Sequence, residues 1–402
     1  MDGPLYFQLG SVAAWLSLIV YVALRRGRLF AMFVGVFLGV HTAISCGVVR
    51  LFGDVWPVAA YLQFTTYFHF AMLVTARLRP LWYRALVSVP GSAFSAGTLL
   101  AMPWAILNAF GLEPRFVFVP YLIAVLSVWQ SLRSRECVVS LAITGADAGD
   151  LGRAKHGELR VERPLRIAQI TDPHLGPFMS PARLRRIVER AVAQKPDIVL
   201  LTGDFLTMES HGALAGFMHA LEPLEPLAGR TFACRGNHDF EAPDTVTRGL
   251  ASAGVQYLID DAAEVDTPAG PVQIIGVDFA YRDRAKRTAA PLAAHPRKPG
   301  VLRVVMLHDP GAFQHVPDGE ADLVLSGHTH GGQLGLVSLG LKATFVSLFT
   351  KIPDHGFWAK GRNRLYVHRG TGHYGFPLRV GVPGEEGIIE VHAPQGAASS
   401  SR

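Results

Sequence analysis

Charge is scarce in this 402-residue chain, 17% of residues against 50% hydrophobic ones, and that scarcity excludes an ordinary soluble globular protein. Lysine is missing from residues 1–132, which hold eight Arg and three acids, whereas residues 133–402 carry 30 basic and 29 acidic side chains. The net charge of +6 therefore arises mainly between apolar stretches, so a pI near 9.3 points to membrane orientation and away from a nucleic-acid partner. Cysteine is scarce too. Cys46, Cys137 and Cys234 are too few and too scattered for a disulfide framework, and they form no CxxC pair for zinc or redox work. They fit a reducing compartment. No internal repeat is present.

What the first third has in abundance is apolar length. Five stretches, at about 5–24, 29–49, 55–76, 85–110 and 116–132, each approach the ~20 residues needed to cross a bilayer core, which predicts a bundle of about five transmembrane helices. The segment Met1 to Pro4 carries Asp2 and no basic residue, so the first stretch reads as a retained helix and not as a cleaved leader. Arg25, Arg26 and Arg28 follow the first stretch and Arg77, Arg79 and Arg84 the third. By the positive-inside bias and an odd span count, the N-terminus is expected outside a multi-pass inner or cell membrane and everything after Arg133 and Arg135 in the cytoplasm. His41 and His69 read either as functional intramembrane groups or as neutral histidines hydrogen-bonded within the bundle. Gly35 and Gly39 permit close helix contact, and Pro57, Pro90 and Pro103 suggest kinks.

From about residue 136 the pattern changes to short apolar or β-branched runs separated by polar helical stretches, the signature of an α/β fold. The chain is therefore divided into a transmembrane domain at 1–135, a catalytic domain at 136–392 and a disordered tail at 393–402. Strands are expected at 137–143, 166–171, 197–202, 231–235, 272–277, 303–307, 323–326, 364–368 and 388–392, and helices at 181–194, 210–220 and 244–253. Polar residues suited to metals recur where these strands end. Asp172 and His174 follow the run ending at Thr171, Gly203-Asp204 the run ending at Thr202, and Gly236-Asn237-His238-Asp239 the run ending at Arg235. His308 follows Leu307, and Gly327-His328-Thr329-His330 follows Ser326. The carboxyl ends of strands in open α/β sheets line the ligand crevice, and this mixture of carboxylate, imidazole and amide oxygen suits divalent Mn, Fe or Zn without thiolate.

This ordered set, D-x-H, GD, GNHD, a lone His and GHTH, resembles the calcineurin-like metallophosphoesterases over about 160–392. Gly331-Gly332-Gln333 and the run from Arg369 to Arg379 are similar to the membrane-attached branch of that family. The resemblance implies a four-layer α/β/β/α sandwich and two divalent metal ions, manganese first with iron or zinc as alternatives. It implies that Asp172, His174 and His330 bind one ion, Asn237, His308 and His328 the other, that Asp204 bridges both, and that a metal-bridging hydroxide attacks phosphorus. His238 would stabilise charge or donate a proton beside the phosphate, while Asp239 either orients His238 or caps a helix. Thr207 stands where purple acid phosphatases carry an iron-binding tyrosine, which disfavours a ferric tyrosinate site. The roles of Arg235, Glu385 and Glu386 stay open.

The function expected is a membrane-anchored phosphoesterase or pyrophosphatase acting on a phosphate ester or anhydride, including lipid-linked ones such as UDP-2,3-diacylglucosamine in lipid A synthesis. The alternatives are a broad-specificity phosphodiesterase whose membrane domain only anchors it, and a non-enzymatic phosphate-sensing scaffold. The bilayer and a phosphorylated small molecule are the expected partners, with no nucleic acid and no protein partner. Substrate, metal and oligomeric state are left open. One further segment, Leu341 to Lys351 with Phe357, Trp358 and Lys360, reads either as a lysine-flanked interfacial segment or as an extra strand inside the sandwich.

Overall fold

A computed structural model describes residues 3–375 and 377–393; the expected tail, apart from Ala393, lies outside them. The chain divides into two compact units, Met1–Leu132 with Gly375–Val380, and Arg133–Tyr374 with Gly381–Arg402.

The first unit is helical, and it corrects the expectation of five spans. Among the described residues two helices are long and apolar enough to cross a membrane, Gly3–Arg26 and the 45-residue Arg28–Met72, or three if the pair Leu81–Leu100 and Met102–Ala109, bent by 51°, is one span. The second and third apolar stretches are joined through the short turn Val49–Val55, kinked at Gly53 (φ 55°), and together form the 45-residue length Arg28–Met72. The fifth contributes only the 13-residue helix Val119–Ser131, roughly 20 Å long at 1.5 Å per residue, short of a ~30 Å hydrocarbon core. Proline explains much of the shortfall. Pro103 and Pro120 each stand in the first turn of a new helix, where a missing N–H costs nothing, so composition that looks continuous is divided. The odd count of five, on which the expected orientation rested, falls with it. Within this unit His41 Nε2 lies 2.9 Å from Gln63 Oε1, and Gln63 Nε2 donates to Tyr67 Oη at 2.6 Å. His41 is therefore part of a buried polar chain inside the bundle.

Among the described residues the second unit has thirteen strands. In chain order they are β1 (Ser134–Ala142), β2 (Gly152–Arg153), β3 (Leu165–Ile170), β4 (Ile198–Leu201), β5 (Thr231–Ala233) and β6 (Gln256–Tyr257). Then come β7 (Asp261–Thr267), β8 (Gly270–Val277), β9 (Leu302–Leu307), β10 (Leu323–Ser326), β11 (Gly356–Lys360), β12 (Asn363–Val367) and β13 (Gly384–His392). They form a six-stranded sheet, β1-β13-β3-β4-β5-β6, and a seven-stranded sheet, β2-β11-β12-β10-β9-β8-β7. Side-chain alternation joins the sheets. Ile167, Leu200, Phe232, Val304, Met306, Leu325 and Tyr366 point into one core shared by both sheets, while their neighbours Val305, Val324, Leu365 and Val367 pack in a second core with Leu292 and Phe313. Each such fully buried side chain contributes about 1.5–3 kcal/mol.

Strands β3, β4, β5 and β6 run parallel, as do β8, β9, β10 and β12. The ends of β3, β4 and β5 are therefore neighbours on one sheet, and those of β9 and β10 on the other. The edge strand β7, a polar DAAEVDT run, and the helix Arg284–Ala294, which contains Pro291, carry no strong apolar period. They were not expected from sequence. Strand β11, whose Phe357 is buried and whose Trp358 pairs with Leu365 of β12, is the extra strand that one reading of the Phe357–Lys360 residues allowed.

Candidate metal centre

Six side chains from four strand ends meet in two groups. Asp172, His174 and His330 form one, and Asp204, His308 and His328 the other, with the ligand atoms in each group within 4.8 Å of one another. The groups share a border at Asp204. Its Oδ2 lies 3.2 Å from His308 Nε2 and 3.7 Å from His174 Nε2, one atom of each group, while its Oδ1 accepts the His238 N–H at 2.8 Å. His330 Nε2 stands 3.4 Å from Asp172 Oδ1 and 3.2 Å from His174 Nε2.

The backbone is bent to achieve this. Asp172, His174, Asp204, His328 and His330 all have positive φ, between 45° and 67°, a conformation that costs a non-glycine residue roughly 1–2 kcal/mol. Strain repeated at five of six clustered residues marks a site whose geometry the surrounding sandwich enforces. Two glycines make room for the carboxylates. A Cβ on Gly236 would fall 2.2 Å from Asp204 Oδ1, and one on Gly327 would fall 2.1 Å from Asp172 Oδ2.

Electrostatics fit cations. Burial holds His174 down at about 4 and His328 at about 3, so both imidazoles are neutral and offer lone pairs. Asp204 is ionised, because the neighbouring imidazoles of His308 and His174 outweigh the cost of its burial. Burial would likewise lower His308, yet the Asp204 and Asp172 carboxylates push it up to about 10, a sign of how strongly this pocket draws positive charge. His308 Nδ1 lies 2.6 Å from the Thr202 carbonyl, which can only accept, so Nε2 faces Asp204. His308 Nε2, His174 Nδ1 and Asn237 Oδ1 are buried without a hydrogen-bond partner among the described residues. Buried orphan donor atoms of ligand type, beside two carboxylates, are what two divalent cations would satisfy.

Asn237 sits in the Gly236–Asp239 loop against Asp204. The Asp239 carboxylate accepts N–H groups of Asp204 at 2.9 Å, Phe205 at 2.9 Å and Gly236 at 2.7 Å, which clamps the two metal loops together. The His238 ring is held instead by Glu241, whose Oε1 is 2.8 Å from Nδ1, and is stacked at 4.5 Å on Tyr374. Burial opposes a proton on His238, but Glu241 and Asp204 outweigh it and raise the imidazole above its ordinary range. Glu241 and Tyr374 were missed in sequence; the His-x-x-Glu spacing is the one signal for the former.

Residues left open also have places. Arg235 lies over the Phe240 ring at 4.6 Å, its Nε 3.6 Å from Asp278. Glu386 takes a two-pronged contact from Arg190 at 2.7 and 2.8 Å. Glu385 is buried and accepts from Tyr366 Oη, Cys137 Sγ at 3.1 Å and the Arg369 N–H at 3.1 Å. The closing segment thus locks the sandwich.

A metal-dependent phosphoesterase domain is the class that this fold and site define. The chain belongs to the calcineurin-like phosphoesterase family, whose model matches residues 165–332. It is 31% identical over 232 residues to phosphodiesterase YaeI of Escherichia coli, covering 57% of this chain and 82% of that protein. It is 29% identical over 230 residues to a transmembrane protein with metallophosphoesterase domain from Danio rerio, covering 54% of this chain and 50% of that one. To the UDP-2,3-diacylglucosamine pyrophosphatase LpxG of Chlamydia muridarum it is 27% identical over 263 residues, 52% of this chain and 78% of the relative. The chain is a membrane-associated, calcineurin-like phosphoesterase with a dinuclear metal site.

Proposed function

We propose that this enzyme hydrolyses a phosphodiester or pyrophosphate carried by a lipid-linked molecule at the cytoplasmic face of its membrane. The observation that carries the reading is the joining of this metal site, in one chain, to helices of membrane-spanning length. The name of the Chlamydia muridarum relative supports the lipid-linked class. Arg133 and Arg135, directly after the last apolar helix, favour the cytoplasmic side, and a count of three spans preserves that orientation.

In this reading Asp172, His174 and His330 hold one ion, Asn237, His308 and His328 the second, and Asp204 both. Two such ions, manganese in the first instance, acidify a water and neutralise phosphoryl charge. The protein's own share is positional. Asp239 fixes the loops that carry Asp204 and Asn237, and His238, whose protonated form is favoured by Glu241, would give its proton to the departing oxygen. Residues 1–135 serve as the anchor and 136–392 as the catalytic domain.

The test is a substrate panel with the purified full chain and added manganese, comparing UDP-2,3-diacylglucosamine, other lipid pyrophosphates and a soluble chromogenic diester, with Asn237→Ala as control. Preference for a lipid pyrophosphate supports the proposal. Turnover confined to soluble diesters favours a broad phosphodiesterase that is merely anchored. Retained metal with no turnover of any member favours a scaffold.

A further inference from the structure

Immediately after His330 the catalytic unit carries a run of apolar side chains that are exposed among the described residues. Residues 331–353 contain no acid and two lysines, Lys342 and Lys351, and begin where the family match ends. Leu339, Leu348 and Phe349 are 74%, 71% and 72% exposed, and Leu336, Leu341 and Phe345 are exposed as well. Single exposed apolar residues are ordinary, but a contiguous group rimmed by charge marks an interaction surface.

This surface is built and held. The Leu336 N–H donates to the Ala343 carbonyl at 2.9 Å and the Phe345 N–H to the Leu334 carbonyl at 2.7 Å. Thr344 and Ser347 cap the short helix Phe345–Phe349 reciprocally. Thr344 Oγ1 also donates to Asp354, which pairs with Arg153 at 2.7 Å. The Asp354 carbonyl accepts from Thr329 Oγ1 at 2.6 Å, and Thr329 stands between His328 and His330. The exposed helix is thus fastened to the metal loop. Of the segment that the sequence left open, Phe345–Phe349 is therefore an exposed helix, and only Phe357, Trp358 and Lys360 lie in a strand of the sandwich, β11.

Charge selects the occupant. Most of another basic stretch, residues 282–287 with Arg297 and Lys298, is paired within the domain: Arg284 with Asp309, Arg287 with Asp260 at 3.1 Å, Arg297 with Asp322 at 2.8 Å and Lys298 with Glu264 at 2.5 Å. Lys342 and Lys351 are exposed and make no ion pair among the described residues. A second copy docked through this surface would bring lysines together with no acid to meet them. An anionic lipid surface is complementary to both the lysines and the apolar tips, and a chain with spanning helices is always beside one.

We propose that residues 336–351 dock on the bilayer, with Phe345, Leu348 and Phe349 at the acyl boundary and Lys342 and Lys351 among anionic headgroups. This contact sets the His328–His330 loop at the lipid–water boundary. It rests on membrane anchoring and not on the choice of substrate.

The test uses the full chain in nanodiscs of phosphatidylethanolamine and phosphatidylglycerol, with a benzophenone amino acid placed at 349 or, as control, at the exposed Met218 outside the surface. Lipid adducts at 349 should exceed those at 218 by about fivefold or more. Adducts no more abundant than at 218, or cross-linking to a second copy, would overturn the proposal. Cross-linking needs no turnover, so failure of the enzymatic reading leaves this result standing. With activity in hand, Leu348→Ser with Phe349→Ser should lower turnover of a bilayer-borne diester about three- to tenfold and keep a soluble diester within about twofold. Equal effects on the two substrates would contradict lipid contact.

Discussion

Replacing Asp204 with Asn removes one charge from the carboxylate that borders both metal groups, and its consequence can be worked from the site. Asp204 Oδ1 accepts the His238 N–H, so an Asn keeps its carbonyl there and turns its NH2 toward His308 Nε2 and His174 Nε2, at the 3.2 and 3.7 Å now spanned by Oδ2. Two N–H donors then occupy the position of a shared anionic ligand, and both ions lose affinity together. A loss of about 4 kcal/mol in transition-state stabilisation corresponds to about 1000-fold in rate. The backbone should be retained, because the Asp239 clamp on the Asp204 N–H is untouched. Turnover of a chromogenic diester, metal content by mass spectrometry and the melting temperature are measured together. A variant that kept both metals and more than about a tenth of wild-type activity would refute the shared-ligand assignment.

Loss of His238 should depend on the leaving group: His238→Ala is expected to slow an alkyl phosphodiester about 100-fold or more and a nitrophenyl ester, whose anion leaves unaided, far less, with Glu241→Gln showing the same trend more weakly. Equal losses on both esters would argue against proton donation. Gly236→Ala should abolish metal binding, since its Cβ would lie 2.2 Å from Asp204 Oδ1, and calorimetric titration with manganese checks this. Glu385, held down at about 2 although burial opposes this, contributes stability that is complete above about pH 4.5 and is lost as pH falls toward 2, about 3 kcal/mol in all. Denaturant midpoints between pH 6 and 3 should therefore fall more steeply for the wild type than for Glu385→Gln. A reporter fused after Arg402 should label as cytoplasmic and one at the N-terminus as external; the reverse would move the chemistry to the outer surface.

Much of the candidate site was legible because metal chemistry demands particular residue types in short runs. Asp172-x-His174 and His328-x-His330 follow strands with clear apolar patterns, so type, order and strand-end position could be read together. What the sequence did not reveal depends on three-dimensional partners. Glu385 and Glu386 gain their partners from β1, from β12 and the loop after it, and from the helix Pro181–Ala193, all distant in sequence. Glu241 was passed over because a helical-turn glutamate looks like an ordinary surface charge. The span count failed for a different reason. Hydropathy measures composition, while Pro103 and Pro120 decide where helices start, the turn Val49–Val55 joins two stretches into one, and a break of 51° near Ala101 leaves the average unchanged. The segment at 341–351 could be read two ways, since apolar residues near lysine suit a core edge as well as a lipid surface, and exposure alone distinguishes them.

The central claim, that two ions in this pocket carry out phosphoester hydrolysis, is tested most directly by stripping the purified full chain with a chelator and titrating manganese back while following bound metal and turnover of a phosphodiester. Two ions per chain, with activity appearing as the second site fills, is the predicted result. A chain that binds two ions and turns over no phosphodiester or pyrophosphate, or one that hydrolyses them equally well without metal, would contradict it.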